Sequence, residues 1–153
     1  MIARLALLVT LFAAIAAGDE PAARQRRGEH LFRTGEPLSG RKVTALLGGD
    51  DLEVPATVVP CGSCHGPDGR GLPDAAIRPA NIRWNVLTQP LATERRNRPP
   101  YTRSLVKRAI TMGLDSGGQK LESTMPRYRL TLEDMDDLLA YLRQLDDAAT
   151  PAH

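Results

Sequence analysis

Pro60-Cys61-Gly62-Ser63-Cys64-His65-Gly66 is the stretch on which the fold turns. It contains both cysteines of the 153-residue chain, separated by Gly62 and Ser63, and a histidine follows directly. A C-x-x-C-H run is the attachment signal for a c-type haem. Each thiol adds across one vinyl group of the porphyrin, giving two thioethers, and the adjacent imidazole reaches the iron as a neutral nitrogen donor. Three other readings compete. A disulfide between Cys61 and Cys64 would close so small a loop that it would stabilise little. A thioredoxin-like redox pair needs a βαβ context, and no such strand pattern surrounds the motif. A zinc site needs about four nitrogen or sulfur ligands, and beyond the motif only His30 and His153 are on offer. One haem c, attached through Cys61 and Cys64 with His65 on the iron, is the expected cofactor.

Working outward, residues 1–18 read MIARLALLVTLFAAIAAG. A positive start at Arg4, an apolar run from Leu5 to Ala17 and closing small residues make the pattern of a secretory signal peptide. The run is shorter than the ~20 residues of a spanning helix. Cleavage after Ala16, Ala17 or Gly18 fits, and an uncleaved N-terminal anchor is the competing reading. No second apolar run follows, so the mature chain is expected in the periplasm with no membrane span. That compartment is oxidising, so the cysteines must stay reduced until haem is attached. Charged residues are 25%, apolar residues 42% and the net charge is +2. This is an ordinary soluble composition, and it excludes a strongly basic nucleic-acid binder. Aromatic residues are only 4%, against 13 Gly and 12 Pro. A loop-rich chain so short of aromatics needs core volume from elsewhere, and a large apolar cofactor supplies it.

Of the four methionines, Met1 lies in the signal stretch. Met112 and Met135 fall in amphipathic runs that core packing explains. Met125 sits in Leu121-Glu122-Ser123-Thr124-Met125-Pro126-Arg127-Tyr128, where helical periodicity is lacking and Pro126 biases Met125 toward extended backbone. A thioether opposite histidine favours ferrous iron and raises the reduction potential. Met125 is therefore the expected sixth ligand, with Met112, His30 or an open position as alternatives. The segment 28–32 reads as part of a helix. Lys42 to Leu47 and Leu52 to Val59 flank Gly48-Gly49-Asp50-Asp51 as a hairpin. Gly66 to Gly71 must be loop, and Asn81 to Leu87 makes one or two helical turns. Thr102 to Met112 reads as a helix stopped by Gly113. The last helix starts from Thr131 as N-cap and carries Met135, Leu138, Leu139, Leu142 and Leu145 at helical spacing.

This order of elements resembles the class one c-type cytochromes of bacterial periplasms. The likeness is carried by Cys61, Cys64 and His65, by Pro79-Ala80-Asn81-Ile82, by Met125-Pro126 and by Thr131 to Leu145. The segment from Pro100-Tyr101 to Met125-Pro126-Arg127-Tyr128 looks especially like small periplasmic cytochromes that serve dehydrogenases. The resemblance implies an all-α, cytochrome c-like helical fold around a covalent haem, with a small hairpin inserted before the haem motif. The implied division is 1–18 signal peptide, 19–27 linker, 28–146 cytochrome c domain and 147–153 flexible tail. His65 and Met125 would bind iron on opposite faces. A proline carbonyl would hold the other nitrogen of His65, with Pro79 the candidate and Pro73 its rival. Phe32 and Tyr141 would pair the first and last helices, although compact members carry the first helix much nearer the first cysteine.

Trp84 is read either as a haem or propionate contact or as a plain core aromatic. The run Arg95, Arg96, Arg98, Arg103, Lys107 and Arg108 is read either as a surface steering an acidic redox partner or as a solvated face. The expected function is single-electron transfer, not catalysis, between transient redox partners: a dehydrogenase, an oxidase or another cytochrome. The alternatives are a haem subunit of a dehydrogenase or oxidase complex, an enzyme or gas sensor with an open or exchangeable sixth position, and a colourless thiol–disulfide oxidoreductase.

Overall fold

The computed structural model describes residues 20–72 and 78–146. The signal peptide reading, the Pro73 alternative and the 147–153 tail lie outside the described residues. Chain order is α1 (20–34), β1 (Thr44–Leu47), β2 (Leu52–Pro55), a 3-10 turn (Ala56–Val58), α2 (Cys61–His65), α3 (Trp84–Leu87), β3 (Leu91–Ala92), β4 (Asn97–Arg98), α4 (Arg103–Met112), β5 (Arg127–Arg129) and α5 (Leu132–Gln144).

Residues 20–27, expected as linker, are helical. Ala, Arg, Gln and Glu are good helix formers. Ion pairs one turn apart, Glu20–Arg24 at 3.0 Å and Glu29–Arg33 at 2.9 Å, support the exposed side of α1. Its other side crosses α5 closely, because a Cβ on Gly28 would overlap the main-chain carbonyl of Asp137. Four residues further along α1, the Phe32 ring meets Tyr141 with centroids 5.2 Å apart. The distant α1 is thus the helix that pairs with the last one.

In α5 the Thr131 hydroxyl accepts a hydrogen bond from Asp134 N–H at 3.2 Å, as the N-cap reading requires. Met135, Leu138, Leu139 and Leu142 are buried along its inner face. Thr102 caps α4 and left-handed Gly113 ends it. The buried stripe of α4 runs through Val106, Ala109 and Ile110 toward Gly113. Met112 stands at the helix end beyond that stripe and is 63% exposed, so core packing does not account for it.

The all-α expectation needs correcting. The inserted hairpin forms, with Thr44 opposite Pro55 and Leu47 opposite Leu52. Its free edge then takes up β5, giving an antiparallel sheet in the order β2-β1-β5, while β3 and β4 form a second pair. About 14% of the structure is strand, so the fold is mixed. The physical cause lies in two features of the chain. The hairpin offers unpaired edge groups, and the three residues after Pro126 lie antiparallel along that edge as β5.

Candidate functional site

A single helical turn builds the centre. Pro60 precedes α2 and its carbonyl accepts Ser63 N–H at 3.1 Å and Ser63 Oγ at 2.6 Å. Side chains three and four apart on a helix share a face, so the turn stacks Cys64 and His65 beside Cys61. Gly62 lies against Phe32 of α1, where a Cβ would stand 3.3 Å from the ring. The loop after the motif folds back on it: Leu72 N–H donates to Cys64 O and Gly71 N–H to His65 O, both at 2.9 Å. Those bonds satisfy carbonyls that a short helix leaves open.

His65 is 7% exposed, and its Nδ1 lies 2.9 Å from the carbonyl of Ala80. A carbonyl only accepts, so the proton sits on Nδ1 and the lone pair on Nε2. Burial pushes the His65 pKa below the usual imidazole value, with the Ala80 carbonyl opposing, so the ring is a neutral donor. The carbonyl expected here was that of Pro79. Successive carbonyls of extended backbone point to opposite sides, and that of Pro79 turns instead against Gly71, at φ +90°.

Cys61 and Cys64 are both unpaired and half-buried. Burial pushes the Cys61 thiol up to about 11, and the Tyr128 hydroxyl beside it offsets only part of that. A redox-active thiol needs the opposite shift. Among the described residues no group of three His, Cys, Asp or Glu side chains could hold a metal ion.

Met125 is partly buried against the core, in a turn closed by its N–H on Glu122 O at 3.0 Å. Three residues on, Tyr128 in β5 donates its hydroxyl to Val59 O at 2.5 Å. Val59 lies two residues before Cys61, so this bond ties the strand leaving Met125 to the stretch entering the cysteine motif.

A family model described as Cytochrome c matches residues 57–146, more than half of the chain. The chain belongs to the cytochrome c family. Searches of curated proteins and of solved structures gave no match. The matched region begins just ahead of Cys61 and ends after α5, leaving α1 and the β1–β2 hairpin outside it. The cytochrome binds haem c covalently, through Cys61 and Cys64 with His65 adjacent, and serves haem-based electron transfer. The residues present suit the group. Two unpaired thiols share one helix face, a buried imidazole has its Nδ1 satisfied, and Val59, Ile82 and Met125 are apolar side chains packed on the core but only partly covered by protein.

The structure gives Trp84 and the basic run the following partners in this cytochrome. Trp84 opens α3 half-buried against the core, with the Arg143 guanidinium 4.6 Å over its ring, so its stacking partner is α5. The basic run is not a bare steering surface. Arg96 pairs with Asp115 at 2.6 Å, and Arg103 and Lys107 share Asp136 at 3.0 and 2.6 Å. Arg108 donates to Asp115 O at 2.6 Å. Arg98, 7% exposed, donates to the carbonyls of Leu87, Gln89 and Pro99 and lies over Tyr101. Sequence reasoning missed Ala80, Tyr128 and Arg127. Pro126 constrains Met125 before it and not Arg127 and Tyr128 after it, so no local signal marked the last two.

Proposed function

We propose that this cytochrome is an exported, periplasmic carrier of single electrons whose one haem c is held by His65 and Met125. The observation that carries the reading is the Tyr128–Val59 bond, which joins the Met125 side of the chain to the cysteine motif. The competing ligands are worse placed: Met112 points to solvent at the end of α4, and His30 lies on α1. The haem supplies an iron that cycles between ferric and ferrous. The chain holds His65 at Nδ1 through Ala80, presents the Met125 thioether and keeps water away with the α1, α4 and α5 core. With His65 and Met125 both given to the iron the chain would leave no place for a substrate, and the proposed role is transfer and not catalysis.

Export rests on residues 1–18. Among the described residues no helix is long and apolar enough to cross a membrane. Partners would be a dehydrogenase on one side and an oxidase or another cytochrome on the other, met through small interfaces, typically under ~1,200 Å².

The test is an absorption spectrum of protein matured in a host that attaches c-type haem. Sharp low-spin reduced bands, a Met-to-iron charge-transfer band when oxidised and no shift with carbon monoxide are expected. In Met125→Ala the charge-transfer band disappears, the potential falls and carbon monoxide binds. A high-spin, carbon-monoxide-sensitive spectrum of the unaltered protein would transfer the reading to an enzyme or gas sensor. Mass spectrometry of the periplasmic fraction should give a mature N-terminus after Ala16, Ala17 or Gly18, and retention in the cytoplasm would overturn export.

A further inference from the structure

Arg127 follows Met125 by two residues and belongs to no ligand set. Its guanidinium nevertheless gathers the main chain of the Met125 loop. Nη1 donates to Met125 O, and Nη2 donates to Leu121 O at 3.2 Å and to Glu122 O at 3.3 Å. The loop has little regular bonding of its own beyond Met125 N–H on Glu122 O and Leu121 N–H on Gly113 O. Ordering irregular backbone costs entropy that a helix or sheet ladder would offset. Here one planar donor with several N–H groups does that work for three carbonyls at once.

Two further observations show how the guanidinium is held there. The backbone of Arg127 is anchored in β5, opposite Leu46 of β1. Its side chain crosses the C-cap of α4 at Gly113, where φ is +66° and a Cβ would overlap Nε. Any other residue at 113 would push the guanidinium off the loop. Glycine at that position therefore serves the helix stop and the approach of Arg127 together.

We infer that Arg127 is a positioning residue for the sixth iron ligand, holding the Met125 loop in its ligating shape over Gly113. The inference rests on the reading of Met125 as that ligand. It is tested on the haem-loaded protein with Arg127→Gln, Arg127→Lys and Gly113→Ala. The ferric Met-to-iron band and the helical circular dichroism are followed with temperature, and carbon monoxide binding is followed in the ferrous state.

In Arg127→Gln the band should vanish well below the melting of the helices. The fraction with Met125 detached should rise about ten- to a hundredfold, the range for losing hydrogen bonds from a charged donor. Lysine keeps the charge but not the planar fork, so Arg127→Lys should rescue only in part. Gly113→Ala should open the same gap between the two curves with Arg127 still present. The strained backbone there lowers both curves together, and the gap is the readout. Coincident curves with unchanged carbon monoxide binding in the variants would overturn the role of Arg127. If Arg127→Gln does not mature, the other two variants decide by the same curves. Absence of the band in the unaltered protein would instead overturn the ligand reading itself.

Discussion

The two sides of the haem site are built by different means. On the proximal side, both attachment sulfurs and the imidazole come from one five-residue helix, Cys61–His65. The tie that orients the ring, to Ala80, spans 15 residues. On the distal side, where Met125 is the proposed ligand, the chain is irregular, and the ties that fix it to the rest of the fold are long-range. Tyr128 reaches Val59 across 69 residues, and β5 borrows the free edge of a hairpin that lies ahead of the cysteine motif. Arginines lace the remainder: Arg96 and Arg108 on the Asp115 turn, and Arg127 on the loop carbonyls. Contiguous chemistry makes the proximal side less dependent on the rest of the fold. The distal side depends on many polar ties of modest individual strength, so it should loosen first under stress.

The largest expected effect breaks the proximal side outright. Cys61→Ser combined with Cys64→Ser should abolish covalent haem, leaving the mass of the denatured chain at its haem-free value. Haem that survives denaturation in that double variant would refute the attachment.

Asp115→Ala comes next and strikes the distal side. Asp115 is fully buried and pairs with Arg96, and its loss leaves a partly buried guanidinium without its carboxylate. Breaking such a pair costs roughly 3–5 kcal/mol in urea unfolding. Burial pushes the Asp115 carboxyl up, but hydrogen bonds from Gln119 N–H, Arg96 and Gly117 N–H outweigh it and hold the pKa below the usual carboxylate value. The sign follows from linkage. The contribution is complete above the unfolded pKa of about 4 and is lost as pH falls through the lower folded value. The stability gap between the unaltered protein and the variant should therefore shrink in acid. A gap that stays constant in that window would show that the pair does not act through this carboxylate.

Tyr128→Phe should cost about 1–2 kcal/mol, because Val59 O loses its donor. The loss should lower the temperature at which the Met-to-iron band disappears by more than it lowers helix melting. Equal shifts would mean that the bond serves the whole fold and not the distal side.

Thr131→Ala is the smallest and sharpens the contrast. It removes the N-cap of α5, worth about 1 kcal/mol, and α5 supports both sides through the common core. Band and helix curves should move together, and a selective loss of the band would erase the distinction between the two sides.

Legibility followed the same division. Cys61, Cys64 and His65 were readable because thioether formation and axial ligation demand that spacing whatever surrounds it. Both capped helices were readable because Thr102, Gly113 and Thr131 act within one turn of themselves. The pairing of Phe32 with Tyr141 came from family likeness and required two remote helices to cross at Gly28. By itself, then, the sequence determined the haem attachment and the amphipathic helices, since each depends on neighbours a few residues away. Only the tertiary structure decided that Ala80 and not Pro79 holds His65, that most of the basic run is tied to carboxylates and carbonyls of the fold and that the inserted hairpin takes up the strand after Met125. Carbonyls and strand edges are alike at every residue, so which of them a guanidinium, an imidazole or an extended segment meets is settled by how the chain packs.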